Sequence, residues 1–106
     1  MPTPLDFTAI NAAALPHLEH LCARWLPGGR RIGPEWRCGS LGGEAGGSLG
    51  VRLFGARAGA WQDFATGEKG GDPVSLAAAI FRIPQAEAAR RIAAMLGIAV
   101  EDRGHG

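Results

Sequence analysis

Cysteine is scarce in this chain. Of its 106 residues only Cys22 and Cys38 are cysteines, too few for a disulfide framework to carry the fold. No secretory signal is recognisable ahead of them, so the expected compartment is a reducing cytoplasm. No apolar run approaches the roughly 20 residues that a bilayer-spanning helix needs, and no membrane partner is expected. A dominant charge is missing too, since 11 basic residues face 10 acidic ones for a formal net charge of +1.

Several catalytic patterns are also absent. There is no D-x-D pair, and Asp63 and Asp72 as a metal-binding couple would have to converge within a few ångströms on a rigid element. No serine or cysteine has a credible histidine base. The glycine-rich segment 67–71 lacks the Gly-Lys-Ser/Thr that opens a P-loop helix, and Asp72 at its end would repel a phosphate. These gaps argue against a self-contained enzyme, a nucleotide site or a bound cofactor.

What is present fits one small domain, assigned to residues 1–97, with residues 98–106 as a flexible end or the start of a linker. A domain of this length buries roughly two-thirds of the surface its unfolded chain exposes, enough for a core without a metal or disulfide staple. The 17 glycines cluster between periodic segments, as turns would place them. Divided along the chain, the charge is uneven. Residues 21–60 hold Arg24, Arg30, Arg31, Arg37, Arg52 and Arg57 against Glu35 and Glu44 alone. Arginine grips phosphate bidentately and stacks on bases better than lysine does. A solvated arginine-rich surface accounts for the same composition, and only clustering on one face separates the two readings.

Leu15, Leu18, Leu21, Cys22 and Trp25 recur at helical spacing and predict a helix from between Asp6 and Asn11 to about Leu26. Pro16 is expected to kink or restart it, and Pro27-Gly28-Gly29 to end it. Residues 34–65 read as a three- or four-stranded antiparallel sheet. Trp36 and Cys38 alternate with Arg37, Leu49, Val51 and Leu53 alternate with Gly50 and Arg52, and Ala60 to Phe64 form a third run. Alternation exposes Arg52 but leaves open whether Trp61 or Phe64 is buried. Two helices close the chain. Val74, Ala77, Ala78 and Phe81 mark the inner face of the first, which stops before Pro84. Ala86, Ala89, Ile92, Ala93 and Leu96 mark the second, which ends at Gly97. Glu87 is spaced to pair with Arg90 and Arg91 on the outer face.

The densest signal is Trp61-Gln62-Asp63-Phe64-Ala65-Thr66-Gly67-Glu68-Lys69-Gly70-Gly71-Asp72. It reads as a strand, a glycine-rich turn and a helix cap, with Asp72 accepting from the free amides of the first turn and Pro73 at the first helical position. This W-x-D-F-A-T-G-E-K-G-G-D run resembles the N-terminal domain of DNA primase or primase-helicase proteins from phages, plasmids and integrated elements. The resemblance extends from Asn11-Ala12-Ala13-Ala14-Leu15 through Trp25-Leu26-Pro27-Gly28-Gly29 to Leu96-Gly97. In related bacterial primases the domain is a zinc ribbon, and its knuckles fall here on Cys38 to Leu41 and on Asp63 to Thr66. Leu41, Asp63 and Thr66 replace three ligands, so the resemblance implies a ribbon-like α+β domain without zinc. A structural zinc site needs four ligands, almost always Cys or His. His17, His20 and Cys22 make a poorer alternative, because Cys22 lies on the apolar stripe away from His20.

The resemblance implies a non-catalytic module that contacts single-stranded or template DNA weakly and sits beside a downstream primase or helicase domain. Arg37, Arg52, Arg57 and Lys69 are the expected phosphate contacts. Trp36 and Trp61 are candidates for base stacking, although most tryptophans in so small a domain belong to the core. Trp61, Asp63, Gly70, Gly71 and Asp72 form the structural motif. The rival reading is a protein-interaction or intramolecular docking module without DNA contact, which the near-neutral charge favours. A stand-alone regulator of replication is a weaker third.

Overall fold

The structure is a computed structural model that describes residues 5–98. It has an α+β fold in which N-terminal helix, sheet and C-terminal helices follow one another along the chain. From residue 99 onward, the end segment assigned to 98–106 lies outside the described residues.

Helix α1 (Phe7–Ala14) starts where Asp6 Oδ1 accepts the Ala9 N–H at 3.1 Å. Pro16 interrupts it as expected. Residues Leu15–His17 tighten into a 3-10 turn, and α2 (Leu18–Trp25) restarts behind it. Helix α2 buries Leu18, Leu21, Cys22 and Trp25, whereas Leu15 stays at the margin of the core.

Five antiparallel strands follow in simple sequential order: β1 (Arg30–Ile32), β2 (Glu35–Cys38), β3 (Leu49–Arg52), β4 (Trp61–Asp63) and β5 (Lys69–Gly70). The sequence predicts three or four strands, so β1 and β5 are the difference. Neither carries apolar alternation: β1 is exposed along its length and β5 is two residues long. They are recruited by pairing, Arg31 opposite Trp36 and Gly70 opposite Trp61. Residues directly opposite one another share a face of the sheet, so the register sorts the side chains. Trp36, Cys38, Leu49, Val51 and Trp61 join one core with the helices. Glu35, Arg37, Gly50, Arg52, Gln62 and Lys69 lie together on the other face.

Helix α3 (Pro73–Phe81) and α4 (Gln85–Leu96) pack on each other and on α1. The buried face of α3 is Pro73, Val74, Leu76 and Ala77, not the stripe expected through Ala78 and Phe81. Because α3 is apolar nearly all round, its period carries little information about which side faces inward. Phe81 is 38 % exposed and meets Trp25 edge-on, with ring centroids 5.9 Å apart. Helix α4 buries Ala88, Ala89, Ile92 and Ala93, pairs Arg91 with Glu87 at 2.9 Å, and ends at Gly97 with φ +74°.

Candidate nucleic-acid interface

The Trp61–Asp72 motif is a joint between the sheet and α3. Asp72 caps α3 by accepting the Ser75 N–H at 2.8 Å. The Ser75 hydroxyl donates back to the Asp72 carbonyl at 2.8 Å and accepts the Trp61 indole N–H at 3.0 Å. Gly70 lies opposite Trp61, and a Cβ there would collide with Ser75 Oγ and the indole, so only glycine lets β5 pass this close. Gly71, by contrast, has open space around it. Asp63 is buried, and its Oδ1 accepts the Ala65 N–H at 2.9 Å and the Thr66 N–H at 3.4 Å, closing the turn between β4 and β5. A buried carboxylate persists when amides satisfy it in this way. These residues position the site.

The other face of the same strands is polar and open. A groove of about 400 Å³ runs across it, lined among others by Glu35, Arg52, Arg57, Gln62, Phe64 and Lys69. Gly50, at the centre of the sheet, leaves the floor without a side chain, and the Arg37 guanidinium lies across it. Arg37 is partly committed. Its Nε–H donates to Glu35 at 2.8 Å and an NH1 hydrogen to the Gly47 carbonyl at 2.9 Å. Arg52 is held loosely, 3.8 Å from Glu35, and its buried Nε–H has no acceptor although the side chain is 43 % exposed. Arg57 and Lys69 make no side-chain hydrogen bond or ion pair among the described residues. The four cations expected from the sequence thus share one face, with one carboxylate among them.

The stacking candidates are corrected. Trp61 is 5 % exposed and Trp36 is 8 % exposed. The Trp36 indole N–H donates to the Leu26 carbonyl at 3.1 Å, as the Trp61 indole does to Ser75. Neither ring presents a face to a base. Phe64, unassigned in the sequence, is 63 % exposed at the groove, with the Arg37 guanidinium 5.8 Å from its ring centroid. The available signal was the strand period: Trp61 and Asp63 face the core, and the Phe64 N–H continues the ladder to the Ser48 carbonyl at 2.8 Å.

Among the described residues no group of three or more His, Cys, Asp or Glu side chains is placed to hold a metal ion. Leu41 belongs to the core, and Thr66 Oγ1 accepts the Glu68 N–H at 3.2 Å. Burial pushes the Cys22 thiol up to about 12, with the Cys38 thiol and Glu19 adding to the rise. Burial also raises Cys38, opposed by a hydrogen bond with the Ser40 backbone and reinforced by Glu44 and Asp63. Both buried thiols are thereby held in their neutral form, which makes them poor nucleophiles. His17 and His20 line a separate surface groove with Arg24 and Met95. No described helix is long and apolar enough to cross a membrane.

Comparison with protein-family models, with curated proteins and with solved structures finds no match for this chain.

Proposed function

We propose that this chain is a non-catalytic DNA-contacting module that positions a template strand, of the kind that begins mobile-element primases and primase-helicases, with the chemistry performed by a separate domain. The observation that supports contact with DNA is the open sheet face, where Arg52, Arg57 and Lys69 line one groove and Arg37 lies beside its Gly50 floor. The partly exposed Arg52 side chain can donate to a phosphate, and Arg57 and Lys69 bring charges that no described carboxylate neutralises. Contacts of this type orient a strand and carry little sequence information. The primase context rests on the sequence resemblance alone, carried by the Trp61–Asp72 motif and by residues 11–15, 25–29 and 96–97.

The test is binding of a labelled oligonucleotide, followed by fluorescence anisotropy at low and moderate salt. Four phosphate contacts to a single strand give a slope of about −3 in log affinity against log salt. Replacing Arg52 and Arg57 together by alanine should weaken binding and roughly halve that slope, while the melting temperature stays near that of the parent. No binding at low salt by the folded protein would overturn this reading in favour of a docking module for another replication protein. The Glu35 contacts, which already occupy part of the basic face, favour that second reading.

A further inference from the structure

Solitary exposed apolar side chains are common on protein surfaces and need no explanation. Phe64 differs in where it stands. It is the most exposed of the large hydrophobic side chains on the described surface, and it lines the basic groove. The Arg37 guanidinium sits against its ring at 5.8 Å, and that arginine is fixed in turn by Glu35 and the Gly47 carbonyl. The ring is anchored through its own backbone, because the Phe64 N–H donates to Ser48 while Asp63 closes the turn that follows. An aromatic ring held this way, beside cations able to take phosphates, has the two parts of a single-strand site: a stacking surface and a charged track.

We propose that Phe64, braced by Arg37, is a stacking seat for an unpaired nucleobase, which makes the groove selective for single-stranded over duplex DNA. This rests on the DNA-contacting reading above and deepens it. In a duplex both faces of each base are already stacked on neighbours, so Phe64 gains nothing beyond what phosphates give. In a single strand a base lies on the ring while its flanking phosphates reach Arg52, Arg57 and Lys69, all lining the same groove. Stacking on an aromatic ring is tolerant of sequence, because every base has a π-face.

The experiment separates base from backbone. Anisotropy would be measured with three labelled probes of equal length: an oligo-dT strand, a strand of abasic sites with the same phosphates, and a duplex. The parent protein should bind oligo-dT about five-fold or more tightly than the abasic strand, the lower end of what one stacked base contributes. Phe64→Ala should abolish that preference while leaving the abasic-strand and duplex affinities unchanged, and Phe64→Trp should restore it. Equal melting temperatures confirm that the variants are folded. If Phe64→Ala weakens all probes equally, or weakens none, the stacking seat is wrong while DNA contact stands. If the parent binds no probe at low salt, both readings fall.

Discussion

The two faces of one sheet differ in how their polar groups are satisfied. On the inner face, the Trp36 indole donates to Leu26, the Trp61 indole to Ser75, and the Asp63 carboxylate accepts from Ala65 and Thr66. Every one of these bonds ties a strand to a helix or closes a turn. On the outer face, one carboxylate is shared between Arg37 and Arg52, an Arg52 N–H is left without an acceptor, and Arg57 and Lys69 are unpaired among the described residues. The strands and the register are common to both faces, so alternation alone sends one set of residues into the core and leaves the other on the open face. The comparison has a sharp consequence: substitutions on the inner face should change melting and those on the outer face should change binding.

Trp61→Ala should have the largest effect. It removes a core ring at the joint between β4 and α3 and leaves the Ser75 hydroxyl without its indole donor. Large aromatic truncations of this type cost about 3–5 kcal/mol, a large share of the stability of a domain this size. Chemical denaturation would measure the loss. A change below about 1 kcal/mol would be far outside that range and would mean that Trp61 is not a core ring.

Asp72→Ala should come next, at about 0.5–2 kcal/mol, through the loss of the bond to the Ser75 amide. The fold should survive, since the Ser75 hydroxyl still bridges the Asp72 carbonyl and the Trp61 indole. Unchanged stability with lost DNA binding would make Asp72 a functional carboxylate and blur the division between the faces.

The parts of this arrangement that were legible in the sequence are those encoded by local chemistry. Asp72 followed by Pro73 and an apolar run favours a helix start, Pro16 cannot continue a helix ladder, and Gly97 supplies a left-handed end. Strands β2 and β3 showed through alternation at Trp36 and Cys38 and at Leu49 and Val51, and β4 only as the short run from Ala60 to Phe64. Strands β1 and β5 did not, because Arg30, Arg31, Lys69 and Gly70 are held by pairing with their neighbours and not by burial of apolar side chains. The same limit explains Leu76, buried on a helix with no polar side to orient it. The site was half legible. The arginines and Lys69 could be named, but their gathering on one face depends on the register of four strands, and the bare floor at Gly50 depends on what lies across it. The strand period turns Trp61 inward and Phe64 outward, three residues apart on opposite faces of the sheet.

The smallest change in stability, and the most direct test of the outer face, is Glu35→Gln. Among the described residues Glu35 is the only carboxylate lining the groove, and it lies 2.8 Å from Arg37 and 3.8 Å from Arg52. Both partners are partly solvated, so breaking such pairs should move stability by no more than about 0.5 kcal/mol. Binding should respond more. The carboxylate occupies the guanidinium groups that a phosphate would use and repels any phosphate that approaches. Glutamine keeps the shape and an acceptor oxygen for the Arg37 Nε–H while removing the charge. Affinity for single-stranded DNA should therefore rise several-fold at low salt, and the gain should shrink as salt screens the repulsion. Titration at two salt concentrations would measure it. A loss of affinity would mean that Glu35 holds Arg37 and Arg52 in the binding geometry, making the outer face pre-organised by its own ion pairs instead of restrained by them.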